Sequence, residues 1–220
     1  MIKPKVIIYD CDGVLIDSKK ANEAFYNHIL KHFGMPPLNM EQLEFVHVST
    51  ALGAIEHLFQ STNMTEEAKA YLKVIDNTLF IPLLRLEPHI RTVLECLRPN
   101  YHTAIATNRG LSMPLIIEEH RLGELFDMIV TTLDVRNPKP DPECLFKILR
   151  HFKAEPNEAL YIGDSEVDRL VSDGANVPFA SYKNPHLKAE YHFNDHMDLL
   201  KVLQLRIEMS LRNNQKSFPT

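Results

Sequence analysis

The chain has 220 residues, 45% of them apolar and 24% charged, with a formal net charge of -5. That size and balance suit a soluble globular protein, either one domain with an insertion or two small domains. The acidic balance speaks against a nucleic-acid partner. No apolar run nears the roughly 18 residues of a membrane span, and the first one is too short for a signal-peptide core, so a cytoplasmic location is the expectation.

The first predicted strand is Lys5–Tyr9, an apolar run that ends at Asp10-Cys11-Asp12-Gly13. Two carboxylates at a strand end cannot join the core, because an unpaired buried charge costs too much. They face the crevice outside the strand ends, where open α/β sheets bind ligands. Gly13 lets the backbone turn closely there. An EF-hand loop also opens D-x-D, but it needs an oxygen ligand at its fifth position and Gly at its sixth. Val14 and Leu15 exclude it.

Residues 17–85 carry helix periodicity and no clear strand: Lys19–Phe33, Met40–Val48, Ala51–Gln60 and Glu66–Leu84. This reads as a helical insert on two linkers. Within it, His28 and His32 have metal-pair spacing, but no carboxylate completes a site, and a solvated helix face is the simpler reading. His47, Ser49 and Thr50 are candidates to face a ligand.

Strands and helices then alternate. The predicted strands are His102–Ala106, Met128–Thr131, Ala159–Ile162 and a weaker one near Val177–Ser181. The helices are Ile90–Leu97, Pro114–Arg121, Pro142–Phe152 and Glu166–Ser172. The alternation predicts a Rossmann-like parallel sheet with helices on both faces. Ser112 and Pro114 read as a helix start, Asn176 as a left-handed helix stop, and Arg212–Thr220 as a polar tail.

Two of these strands end in polar groups, and the loop after a third carries a lysine. Thr107-Asn108-Arg109-Gly110 offers a hydroxyl, an amide and a flexible backbone suited to phosphate. Lys139 stands between prolines that stiffen its loop. Asp164 closes the fourth strand and Asp168 lies one helical turn beyond. Capping alone also places acids at a helix start. All these segments fall on one side of the sheet. Cys11, Cys96 and Cys144 fit no disulfide framework. Cys144 and Arg150 match a C-x5-R spacing, but no Gly lies between them to wrap a phosphate, and the segment reads as an amphipathic helix.

The ordered set resembles the haloacid dehalogenase (HAD) superfamily, in its phosphoglycolate phosphatase and β-phosphoglucomutase-like form. The matching strings are D-x-D-G-V-L-I-D-S at Asp10–Ser18, Thr107-Asn108, Lys139 in K-P-x-P, and G-D-S-x-x-D at Gly163–Asp168. The resemblance extends to about Ser181. It implies a core of residues 1–16 and 86–220 and a helical cap of residues 17–85, where Gly34-Met35-Pro36 is similar to a cap motif. It implies that Asp10 is the nucleophile and Asp12 the general acid/base. Thr107, Asn108 and Lys139 would hold phosphate. Mg²⁺ would sit on the Asp10 and Asp164 carboxylates and the Asp12 carbonyl, with Asp168 ordering a water or Lys139. Two carboxylates ~4 Å apart repel by roughly 4 kcal/mol at an effective dielectric near 20, which a divalent ion and a lysine reverse. The implied activity is a phosphatase on a small phosphorylated metabolite. A phosphomutase with the same aspartates is the alternative, and a phospho-accepting signalling domain is remote.

Overall fold

A computed structural model describes residues 4–204 of the chain. Its centre is a six-stranded parallel sheet of β1 (Val6–Tyr9), β4 (His102–Ala106), β5 (Met128–Val130), β6 (Ala159–Gly163), β7 (Phe179–Tyr182) and β8 (Tyr191–Phe193). The order across it is β5-β4-β1-β6-β7-β8. β1 lies in the middle, paired with β4 and β6. Val6, Ile7, Ile8 and Tyr9 are all fully buried, which is why the strand reads as a continuous apolar run rather than an alternating one. Each of the three aliphatic side chains contributes about 1.5–3 kcal/mol by its burial.

Alternate residues of β1 serve opposite faces. Ile7 and Tyr9 pack under α5 (Ile90–Leu97), α6 (Met113–Glu119) and α9 (Met197–Val202). Val6 and Ile8 pack under α7 (Glu143–Phe152) and α8 (Glu166–Ala175). The α/β class, the parallel sheet and the inserted helices expected from the sequence are therefore present. Asn176 ends α8 with φ 54°, as expected.

The insert contains α1 (Lys19–His32), α2 (Met40–Val48), α3 (Ala51–Phe59) and α4 (Thr65–Tyr71). It has its own apolar cluster around Ile29, Ile55 and Phe59. The helix expected over Glu66–Leu84 stops at Tyr71. Beyond it, Asp76 caps a 3₁₀ turn through its carboxylate and the Thr78 N–H, and Pro82 opens another. Neither side chain favours a continuing helix. Ile81 and Leu84 of this stretch pack with the sheet-side cluster.

The two linkers form a short antiparallel ribbon, β2 (Ile16–Asp17) with β3 (Arg85–Leu86), pairing Ile16 with Leu86 and Asp17 with Arg85. Two-residue strands carry no periodicity, so they were invisible to pattern reading. β8 and α9 also lie beyond the expected elements. No helix among the described residues is long and apolar enough to cross a membrane. The expected polar tail Arg212–Thr220 lies outside the described residues.

Candidate active site

The C-terminal ends of β1, β4 and β6 open onto a cavity of about 620 Å³ between the sheet and the insert. Asp10, Asp12, Thr107, Asn108, Lys139, Asp164 and Asp168 all line it. These are the seven residues singled out from the sequence.

Lys139 occupies the centre and is almost fully buried. Its ammonium donates to Asp10 Oδ1 at 2.6 Å, Asp168 Oδ1 at 2.8 Å and the Tyr161 hydroxyl at 2.9 Å. All three of its N–H bonds are thereby used. The loop is held by Asn108, whose side chain donates to the Lys139 carbonyl and accepts from the Lys139 N–H, both at 3.1 Å. The Lys139-Pro140 bond is cis.

Asp168 is placed by the start of α8. Ser165 is the N-cap, and its hydroxyl accepts from the Asp168 N–H at 3.2 Å. Asp168 Oδ2 reaches back to the Ser165 N–H at 3.2 Å, completing a capping box. The cap thus uses one oxygen of Asp168 and the site the other. Gly163 makes this possible, since a Cβ there would sit 2.4 Å from the Asp168 Cβ.

Gly13 has φ +76°, and a Cβ on it would lie 2.1 Å from Asp164 Oδ2. The turn after β1 must therefore be bare for Asp164 to approach. Oxygens of Asp10, Asp164 and Asp168 lie within 4.8 Å of one another. Burial, then the neighbouring carboxylates, push Asp164 well above the usual carboxylate range. Burial likewise raises Asp10 against the pull of Lys139. Of the four carboxylates at the strand ends, Asp10 and Asp168 are ion-paired to Lys139 and Asp12 to Arg109, which leaves Asp164 without a cation among the described residues. The donor set is hard oxygen with surplus negative charge, which fits a divalent cation such as Mg²⁺. Both oxygens of Asp168 are engaged by protein donors, whereas Asp10 Oδ2 and the Asp164 carboxylate accept none among the described residues.

Pattern reading passes over Arg109, its partner Asn22, and Tyr161. Arg109 was read as flexible backbone before a helix. Its Nε donates to Asp12 Oδ2 at 2.8 Å and its Nη2 to Asp12 Oδ1 at 2.6 Å. Nη2 also reaches Asn22 Oδ1 of α1 at 3.0 Å, and Nη1 reaches Ser112. Burial alone would raise Asp12, but the guanidinium holds it below the usual range. A charged residue just past a strand end was the available signal. Tyr161 was read only as strand. Its hydroxyl donates to Asp168 Oδ1 at 2.6 Å, and a buried tyrosine hydroxyl does need a partner.

Of the other candidates, the paired histidines and the C-x5-R residues fall elsewhere. His28 and His32 are exposed on α1, and both stack with Tyr71. Cys144 is buried in the sheet-side core, where burial pushes its thiol up to about 11, and Arg150 is exposed, so they form no phosphate cradle. His47, Ser49 and Thr50 do line the cavity.

A profile of the haloacid dehalogenase-like hydrolases matches residues 7–182. Phosphoglycolate phosphatase 1 of Pseudomonas aeruginosa is 30% identical over 190 residues, 81% of this chain and 69% of that one. The pyrophosphatase PpaX of Bacillus cereus is 26% identical over 176 residues, 80% of this chain and 81% of that one. A crystal structure of a HAD-superfamily hydrolase, subfamily IA, from Geobacter sulfurreducens superposes with a TM-score of 0.75 at 40% identity, covering 92% of this chain and 97% of that one.

Proposed function

The chain belongs to the haloacid dehalogenase-like hydrolases, and from that premise we propose that it is a Mg²⁺-dependent phosphatase of a small phosphorylated metabolite. The observation that carries this reading is the Asp10 carboxylate, fixed at one oxygen by Lys139 at 2.6 Å and beside Asp164 at the floor of a cavity. The relatives named for phosphoglycolate phosphatase and pyrophosphatase activity support the same class of chemistry.

Asp10 attacks phosphorus with Oδ2, and the ester oxygen leaves with a proton from Asp12. Water then attacks the aspartyl phosphate, Asp12 takes the water proton, and phosphate departs with Asp10 restored. The Arg109 pairing suits the base half of this cycle. The acid half asks Arg109 to loosen its hold as substrate enters. Lys139 neutralises charge on the phosphoryl group and orients Asp10. Thr107 lies at the end of β4, and its hydroxyl together with the Asn108 backbone N–H would hold phosphate, since the Asn108 side chain is committed to the Lys139 loop. Mg²⁺ would be held by Asp10, Asp164 and the Asp12 carbonyl, with Asp168 keeping Lys139 in place. Bound there, the ion would offset the carboxylate repulsion and the charge of the transferring group.

Residues 17–85 act in this reading as a mobile cap over a core of residues 1–16 and 86–220. The ribbon of β2 and β3 is the natural hinge, because every chain connection between the two parts runs through it. The cap side of the cavity would read the leaving group and exclude water.

The test is phosphate release from a panel of phosphorylated metabolites with Mg²⁺, with and without EDTA, for the wild-type chain and Asp10→Asn. Release that needs the metal and disappears in Asp10→Asn supports the reading. Full activity after exhaustive chelation, or in clean Asp10→Asn protein, sinks it. An isomeric sugar phosphate in place of free phosphate would make the enzyme a mutase.

A further inference from the structure

Three cap residues at the end of α2 and the start of α3 line the cavity: His47, Ser49 and Thr50. Two of them have local work. The Ser49 hydroxyl donates to the Phe45 carbonyl at 2.7 Å, and the Thr50 hydroxyl caps α3 by accepting from the Gly53 N–H at 3.0 Å. His47 is different. Its Nδ1 lies 3.1 Å from Asn22 Nδ2, while its Nε2 is buried with no partner among the described residues.

The protonation of this ring follows from its neighbours. A guanidinium only donates, so the Asn22 atom that faces Arg109 Nη2 at 3.0 Å must be its oxygen. The Asn22 atom facing His47 is then the NH₂, which only donates. His47 Nδ1 must therefore accept. The ring is neutral and carries its proton on Nε2, as a donor beside the cavity. A chain of hydrogen bonds from Asp12 through Arg109 and Asn22 thus sets the tautomer of a cap histidine. A buried donor without an acceptor is destabilising, and it is most economically explained by an acceptor that arrives with the substrate.

We propose that His47 is a specificity-determining residue, whose Nε2–H donates to an oxygen on the leaving group. The phosphatase then selects phosphoesters whose alcohol portion carries an oxygen acceptor, carboxylate or hydroxyl, over those with a bare hydrocarbon. This rests on the phosphatase reading and refines it. Nε2 is closed to solvent in this state, so the acceptor reaches it as the cap shifts on the β2–β3 ribbon. A site that hydrogen-bonds a substrate oxygen rejects the analogue lacking it, because its own donor is then left unpaired.

The experiment compares matched esters: 2-phosphoglycolate with ethyl phosphate, and glycerol 1-phosphate with propyl phosphate. The kcat/KM ratio of each pair is read in wild type, His47→Phe and His47→Gln. At least one ratio should fall about 10–100-fold in His47→Phe, the range that one hydrogen bond commands. His47→Gln, which keeps an amide donor near the Nε2 position, should recover part of it. Nitrogen-15 NMR of the labelled wild-type ring should find Nε2 protonated and Nδ1 bare. Ratios unmoved in both variants, or a proton on Nδ1, would overturn the proposal. If neither variant folds, the NMR result on wild type decides. If neither these esters nor the wider panel of phosphorylated metabolites releases phosphate, the phosphatase reading falls and takes this role with it. If release occurs and needs Asp10 but the ratios do not move, only the role of His47 falls.

Discussion

Arg109 grips both oxygens of Asp12, at 2.8 and 2.6 Å, across 97 residues of sequence. Both side chains are mostly buried, 15% exposed each. The fork geometry matters, because a third contact ties the same guanidinium to Asn22 in the insert. A lysine at this position could not make all of these bonds at once.

Arg109→Gln should therefore act on stability and turnover together. Removing one partner of a buried pair strands the other charge, which costs about 3–5 kcal/mol. Asp12 also loses its aim, and kcat should fall by at least ~10-fold, toward the ~10²–10⁴-fold that general acid/base catalysis contributes. Arg109→Lys should recover stability better than kcat. Urea titration and steady-state phosphate release check both. A variant with unchanged stability and turnover would show the clamp to be idle.

Lys139→Met removes the cation shared by Asp10 and Asp168. Both carboxylates are almost completely enclosed, so the loss should again be about 3–5 kcal/mol. Turnover should vanish even where the variant is folded. Lys139→Arg should not rescue it, because a planar fork cannot replace a point donor with three partners. Denaturation midpoints and phosphate release at saturating Mg²⁺ are the measurements. Substantial turnover in either variant would remove Lys139 from the site.

Gly13→Ala places a methyl 2.1 Å from Asp164 Oδ2 at a φ of +76°. Holding an L-residue in the left-handed region costs roughly 1–2 kcal/mol. The larger effect should be on the metal, because Asp164 has to move away. Half-activation should need at least ~10-fold more Mg²⁺, with kcat partly recovered at saturation; that factor corresponds to ~1.4 kcal/mol. An unchanged Mg²⁺ titration would mean that Asp164 is not a metal ligand.

Most of the site that the sequence reveals lies just past a strand legible by itself; Lys139 and Asp168 are marked instead by flanking prolines and by a helix-turn spacing from Asp164. β1, β4 and β6 are apolar runs, and the polar residues after them stand out. Asp10, Thr107 and Asp164 could be placed at one end of the sheet without coordinates. The insert was legible because α1, α2 and α3 carry helix periodicity. Arg109 and Asn22 were not, because their meaning is a contact between segments 87 residues apart. Nothing in a local pattern says that a guanidinium after a strand turns toward Asp12 rather than toward water. The β2–β3 ribbon was hidden for a different reason. Its strands are two residues long, and their pairing is set by where the insert leaves and rejoins the core.

His196 gives a pH dependence away from the aspartate cluster. Its ring is buried against Tyr182, and Nε2 donates to the Val14 carbonyl at 2.8 Å. Burial lowers its pKa from 6.5 to about 4. The unfolded chain binds this proton near pH 6.5 and the folded chain only near pH 4. Between those values the unfolded state holds more protons, so stability is full above pH 6.5 and falls as the pH drops toward 4. The loss at the lower end is roughly 3 kcal/mol from this group alone. His196→Gln keeps an N–H donor and cannot titrate. Its stability at pH 7 should be lower, through poorer packing, but its decline between pH 6.5 and 4 should be shallower. Urea denaturation at half-unit pH steps measures the two slopes, and parallel slopes would show that His196 is not the group being titrated.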